Sequence, residues 1–539
     1  MSSLSENRIV LPVSFALLEN IKIYFEENLP NDSLDLLHRL LISGRRTTAP
    51  PGSRRNSLLP PPPYLDLIST FPIHPRHTTH AKSREDHEPA INALSYLQLL
   101  PGLVSVRDSG MGQAFRFEEA GSGKLQRWER GMKRKARVAL EGSETVAFDD
   151  DVINHPLARD GVWTQAKDFW HVVGWAINCG VWHWRRWEYW QLWMEFMVAV
   201  MEKDLEERIA LRDEGGEGDA GRLEESIFGR FLLLNEPGEG RQAWKRAAKA
   251  IFADGSERSL NEFPPVWRDE TRKPKDDETE VYTAPSIYRD EKDPSAIWLK
   301  HTGPSVRELR IRLMTLLLHI CTETPSTSTL TPDALSDLLA SHLTHLPFPL
   351  YTSLLRSEPR DTLPASSLSI LTQTITSWLI DHAAPPNTAP DDTPTQHTLA
   401  TCFLPFAANT SSPEDNARLS WAVEIMLRMY FDAHRDMCPT PELVAAVEKG
   451  IEAREERVEG AKVRKGRGGD DEGFRKAIGE SAWRMRMVVE VVGEAMEREA
   501  RRAAESVERE VVGGGVDRRD PVVRARAMAD FQAEWEALD

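Results

Sequence analysis

Eight of the sixteen tryptophans fall between Trp163 and Trp193, within WTQAKDFWHVVGWAINCGVWHWRRWEYWQLW. A chain carrying so much aromatic surface in one short stretch must bury most of it, since each indole can remove up to ~250 Å2 from water. The spacing indicates how. Trp163, Ala166, Trp170, Val173 and Ile177 recur at helical intervals, the pattern breaks at Asn178-Cys179-Gly180, and it resumes at Trp184, Trp187, Trp190, Met194, Met197 and Met201. This predicts two consecutive helices divided at a glycine C-cap, the second apolar nearly all round, as in a helix at the centre of a helical domain. Trp170, Trp175, Trp187, Trp190 and Met194 are expected in the core, with Arg185 and Arg186 reaching outward on their aliphatic stems. Exposed Trp beside Arg is also the chemistry of a single-strand stacking platform, so Trp182-His183-Trp184-Arg185-Arg186-Trp187 carries a second reading. Helical spacing favours the core.

Helical patterning dominates the remaining chain, and at 539 residues more than one core, or an elongated array, is expected. Residues 1–42 read as a helical hairpin: one helix from Pro12 to Asn28 repeats Phe15, Leu18, Ile21, Phe25 and Leu29, and a second runs from Ser33 to Ile42. Residues 43–89 are rich in Pro, Arg, Ser, Thr and His, include the Pro60 to Pro63 run, and read as a mobile polyproline linker. Within it, Arg54-Arg55-Asn56-Ser57 resembles a basophilic kinase site, with Ser57 the candidate phosphosite. Residues 90–253 hold the Trp-rich core; Val104, Val106, Phe115 and Phe117, alternating about Gly110-Met111-Gly112, predict a short β-hairpin there. Residues 254–294 are polar and Pro-punctuated, and read as a flexible surface excursion.

Residues 295–440 form a run of short capped helices that resembles an α-solenoid without any fixed repeat period. In residues 441–539 a Gly-rich break precedes a long charged helix, from about Phe474 to Val512, with an apolar stripe of Ile478, Trp483, Val488, Val491, Val492, Ala495 and Met496. The expected fold is therefore all-α: an irregular multi-helix body, solenoid-like in part, with long linkers and a charged C-terminal helix.

Composition narrows the function classes. A formal charge of -17 opposes a surface wholly matched to nucleic acid, which needs a surplus of Lys and Arg. Cys179, Cys321, Cys402 and Cys438 lie far apart, giving no zinc or redox spacing and suiting a reducing compartment. The opening apolar run is interrupted by Pro12 and lacks a preceding basic region, so no signal peptide is expected; no stretch reaches the ~20 apolar residues a bilayer requires.

Motifs for chemistry fail on context. Gly216, Gly218 and Gly221 follow a helix among carboxylates that would repel a pyrophosphate, and Gly121-Ser122-Gly123-Lys124 lacks the hydroxyl residue that would hold magnesium. Asp149, Asp150 and Asp151 with His155 and Asp160 read as capping residues in preference to a cation site, and His171 and His183 as packing histidines. No catalytic, cofactor or metal site is expected. Three basic clusters remain: Arg45-Arg46 with Arg54-Arg55; Lys133, Arg134, Lys135 and Arg137; and Arg464, Lys465 and Arg467. They are candidate import signals or phosphate contacts, and predict residence in the nucleus, with the cytoplasm as the alternative. The expected function is a non-enzymatic scaffold or adaptor with other proteins as partners and no membrane. A chromatin- or nucleic-acid-associated factor comes second, and an enzyme with an unrecognised site third.

Overall fold

The computed structural model describes residues 7–43, 55–117, 153–214, 222–233, 240–271, 303–324, 330–356, 363–387, 393–435, 437–459 and 468–512. The fold is all-α, as the periodicity predicts, and divides into two compact units, Met1–Pro332 and Asp333–Asp539.

The first unit opens with strand β1 (Ile9–Pro12), helices α1 (Phe15–Glu26) and α2 (Pro30–Ser43), strand β2 (Asn56–Leu59) and helix α3 (Pro62–Thr70). Helix α4 (Arg84–Leu103) follows, with a full capping box at Ser83 and Asp86. Next come α5 (Phe169–Trp182), α6 (Trp184–Asp213), α7 (Ile227–Leu233), α8 (Gly240–Ile251), α9 (Glu257–Glu262) and α10 (Gly303–Glu323).

Helix α5 is the centre. Asp168 caps it through the His171 N–H at 2.7 Å, and every residue from Phe169 to Gly180 is buried. It packs against α6, α8, α9 and α10, the arrangement its apolar circumference demands. Trp170, Trp175, Trp187, Trp190 and Met194 are all in this core. Several of the buried indoles find a partner for their N–H: Trp170 donates to the Phe231 carbonyl, Trp187 to Ser305 Oγ, and Trp163 to Ser69 Oγ, whereas Trp175 and Trp190 have none among the described residues.

Three expectations for this unit fail. The stretch 43–89 is not a linker from residue 56 onward. Its prolines start α3, where a missing N–H costs nothing, and Tyr64, Leu65, Leu67, Ile68, Phe71 and Ile73 lie fully inside the core. The excursion 254–294 is likewise built in over 254–271. Phe263 lies against Gly174 so closely that an added Cβ there would stand 2.3 Å from Phe263 Cγ, and Trp267 stacks on Trp190 at 5.9 Å. Residues 272–294 lie outside the described residues.

The hairpin at 104–117 does not form either. Gly110, at φ 81°, starts a helical turn at Met111–Ala114, and Phe115 stacks on Trp163 at 5.0 Å. The β pairing present is instead parallel, between β1 and β2, in register Ile9 with Asn56 through Pro12 with Leu59. Pro12, which has no N–H for a ladder, suits this edge position.

The second unit contains α11 (Pro332–Leu343), α12 (Phe348–Leu354), α13 (Ala365–Leu379), α14 (Pro413–Ala433), α15 (Pro441–Glu459) and α16 (Gly468–Val512). A solenoid stacks sequence neighbours, whereas α14 touches α12, α13, α15 and α16 together, so the unit is a bundle about one central helix. Helix α16 packs through Ile478, Ala482, Met485, Val488, Val489 and Val492, at intervals of three and four. Trp483, one position off that stripe, is 56% exposed, against the expectation that it packs.

Candidate functional site

In the second unit, α11, α13 and the irregular segment after α13 enclose a half-open cleft of about 560 Å3. One wall is α11, whose Asp333 and Asp337 stand one turn apart, solvent-exposed and without an ion-pair partner among the described residues. The facing wall is α13, whose Ile370, Gln373, Thr374 and Ser377 share one helical face. Residues 380–382 and 384–387, with Cys402 and Phe403, complete the lining.

Phe403 and Cys402 are held by an uncommon device. After one helical turn capped by Thr395, the backbone widens into a π-turn over Leu399–Phe403, closed by the Leu404 N–H donating to the Leu399 carbonyl at 2.9 Å. Beyond it, the Leu404 and Phe406 carbonyls accept from the buried Arg454 at 3.2 and 3.1 Å. Gly450 allows α15 to approach the turn, since a Cβ there would stand 1.7 Å from the Leu404 carbonyl. Burial pushes the Arg454 guanidinium down to about 10, still a cation at neutral pH.

The segment after α13 is also tied down. Asp381 accepts the Ala383 N–H and pairs with Arg457, which together hold its carboxyl below the usual range, the backbone contact first. An isolated antiparallel bridge joins Ile380 to Ala408.

The hydrogen-bonding character of the lining follows from where its protons go. Thr374 Oγ1 donates to the Ile370 carbonyl at 2.9 Å and Ser377 Oγ to the Gln373 carbonyl at 2.9 Å, so both hydroxyl protons are spent inside α13 and the oxygens present lone pairs. Gln373 and Asn387 engage each other at 3.1 Å, and the Gln373 amide nitrogen donates to Ser369 Oγ. Among the described residues, the lining contains no Lys or Arg. It is thus rich in acceptors, negative at its α11 rim, and apolar at Ile370, Ile380 and Phe403.

Ser57, the expected site residue that falls among the described ones, does not line this cleft. Ser57 is completely buried, its hydroxyl donating to the Leu41 carbonyl at 3.1 Å, which corrects its reading as an exposed phosphosite: β2 has drawn it into the fold. Lys133, Arg134, Lys135, Arg137, Arg464, Lys465 and Arg467 lie outside the described residues, as do Asp149 to Asp151 and Gly216 to Gly221.

Arg186 does not reach outward. It is 2% exposed, pairs with Glu270 at 2.6 Å, and donates to Thr78 Oγ1 and the Ile73 carbonyl. Arg185 is exposed, beside Trp184. Trp182 is exposed too, yet its indole donates to the Gly255 carbonyl at 2.7 Å. A flat stacking row is therefore not assembled from Trp182, Trp184 and Trp187, because Trp187 faces the core.

Histidines serve packing in this unit. His155 Nδ1 accepts the Leu157 N–H, His171 Nδ1 accepts the Lys167 N–H, and His74 bonds Asp160 at 3.1 Å. Among the described residues, no three His, Cys, Asp or Glu side chains group so as to hold a metal ion, and no helix is long and apolar enough to cross a membrane. No protein-family model matches the chain, and no curated protein matches it.

The cleft was not legible beforehand. Asp333 and Asp337 look like ordinary helix-surface carboxylates, and only the tertiary packing sets them opposite α13.

Proposed function

We propose that this chain is a non-enzymatic helical scaffold or adaptor subunit joining proteins in a nuclear assembly, with the cleft beside α11 and α13 as one docking site. The cleft carries this reading: a half-open trough with apolar patches and unspent acceptors suits a segment of polypeptide lying across it. The strongly perturbed groups elsewhere support it as well. His77, His155, Cys179 and Arg310 owe their shifts first to burial, and all lie within the packed core of the first unit. The basic clusters of the sequence are the ground for nuclear residence.

Affinity purification of the tagged full chain, with identification of co-purifying proteins, is the test. A reproducible protein set, thinned by Ser377→Lys on the exposed face of α13, is the expected result. Recovery of nucleic acid in its place, with affinity falling steeply as salt rises, would favour the chromatin-associated alternative. Imaging of the tagged chain tests the compartment: exclusion from the nucleus would remove that part of the reading.

A further inference from the structure

Resting on the reading of the cleft as a docking site, we infer that its occupant is a basic segment of a partner protein, whose Lys or Arg heads meet Asp333 and Asp337 while their aliphatic stems lie on Ile370, Ile380 and Phe403. Three independent features of the lining converge on that chemistry.

The first is charge. Asp333 and Asp337 are exposed on one face of α11, one helical turn apart, and neither is neutralised by a cation of its own chain among the described residues. The third carboxylate of the lining, Asp381, is paired with Arg457. The unused negative charge is thus concentrated on one wall.

The second is donor balance. With the Thr374 and Ser377 protons spent on α13 carbonyls and the Gln373 amide engaged with Ser369 and Asn387, the facing wall offers mainly acceptors. An acidic or acceptor-rich ligand would leave those lone pairs unmet and would be repelled at the rim. Guanidinium and ammonium groups are pure donors, so the two walls select them together.

The third is the apolar part of the lining. Ile370 is half-buried, and Ile380 and Phe403 are nearly fully buried, so each shows only a strip of surface to the cleft. A long basic side chain fits that mixture, because its methylene stem covers apolar surface while its head stays at the rim. A compact inorganic cation would leave the strip wet. A half-open cleft also covers only one side of its ligand, which favours a segment anchored by the rest of a protein over a small polyamine held on its own.

The test uses the full chain and a randomised dodecapeptide display library, with the Ser377→Lys chain as counter-selection. Peptides that survive should be enriched in Lys and Arg. A fluorescein-labelled survivor should bind about tenfold more weakly to Asp333→Asn/Asp337→Asn, the loss expected when two exposed charge pairs are removed together. It should bind Glu472→Gln/Glu490→Gln almost unchanged; that variant removes the same formal charge from exposed positions on α16 and so controls for the chain's overall acidity.

Surviving peptides with no basic excess, or indifferent to Asp333 and Asp337, would overturn the basic-segment inference and leave the docking reading standing. Spermine displacing the peptide with matching affinity and the same variant sensitivity would show a polyamine site, which overturns the protein occupant. No peptide survivors, together with co-purifying proteins unchanged by Ser377→Lys, would sink the docking site itself.

Discussion

Lowering the pH should loosen the first unit, because two buried histidines are held neutral. His77 Nδ1 donates to the Asp86 carbonyl at 2.8 Å, its ring lies 5.1 Å from that of Phe71, and its Nε2 is buried without a partner among the described residues. His155 accepts the Leu157 N–H and packs beside Phe71 and Phe25. Burial above all brings both rings from 6.5 to about 4; for His77 the Asp86 bond comes next and pulls the other way, ahead of the nearby His74 and Arg76 charges, and for His155 the Arg76 and His74 charges follow burial.

The unfolded chain therefore binds more protons than the folded one between pH 6.5 and pH 4. The stability this provides is complete above pH 6.5 and is lost as pH falls through that window. At pH 5 linkage gives about 2 kcal/mol for His77, and about 1 kcal/mol for His155 once solvent screening is discounted. His38, His87, His171 and His183, lowered chiefly by burial, add in the same direction. Asp381 and Glu448 lie below the usual carboxylate range, so their losses come at lower pH.

Urea melts followed by tryptophan fluorescence, which reports mainly on the Trp-rich first unit, should show this loss between pH 7.5 and pH 5. The comparison is His77→Asn/His155→Asn, in which one Asn keeps a donor for the Asp86 carbonyl and the other an acceptor for the Leu157 N–H. That variant starts less stable but should lose about 3 kcal/mol less on acidification. An identical pH-dependent drop in both chains would refute the buried-neutral account.

Trp187→Ala or Trp190→Ala should each cost about 3 to 5 kcal/mol in the same melts, through lost burial and the cavity left behind. Trp182→Ala, at a 54% exposed position, should cost far less, and equal costs would contradict the placement of α5 and α6. Gly174→Ala should destabilise by about 1 to 3 kcal/mol by driving a methyl into the Phe263 ring, and Phe263→Leu in the same chain should recover part of it; an unchanged melt would show that 254–271 is not packed there. Arg454→Met should strip hydrogen-exchange protection from residues 399–408 by orphaning the buried Leu404 carbonyl, at about 1 to 3 kcal/mol, and the partly buried Phe406 carbonyl, at less, and unaltered protection would deny Arg454 its role behind the cleft.

The all-α class and the Trp core were legible because both rest on local periodicity, which a central helix such as α5 carries in full. Segments 56–89 and 254–271 were not, because prolines and charges outnumber the few residues that bury them. Tyr64, Leu65, Leu67, Ile68 and Phe71 form a helical stripe directly after Pro60 to Pro63, and Phe263, Val266 and Trp267 form another short cluster, but each is too brief to stand out against breaker-rich surroundings. The apparent hairpin at 104–117 failed for the opposite reason. Alternating apolar residues satisfied the strand pattern, while Val104, Val106 and Phe115 were buried as anchors of an irregular segment without any ladder.

The buried arginines explain a further misreading and part of the stability. Arg186 lies on the same stripe as Trp190, Trp193 and Met197; Arg310 on that of Val306, Leu313 and Leu317; and Arg454 on that of Val447, Ile451 and Val458. A cation at a core position would be costly if it merely sat among apolar groups. Each instead collects carbonyls at or just past the C-terminal end of another element: Ile73 after α3, Ala253 after α8, and Leu404 and Phe406 after the π-turn.

Arg418 does the same for Leu346 after α11, Arg8 for Leu41 and Ile42 in the last turn of α2, and Arg475 for Val458 in the last turn of α15. Helix ends leave orphan carbonyls and a partial negative charge, and a guanidinium meets both needs with one fork of donors. A chain with many short helices and irregular connections has many such ends to satisfy. An Arg at a stripe position of a helix is thus a legible sign, in this chain, that a connection elsewhere is fastened there.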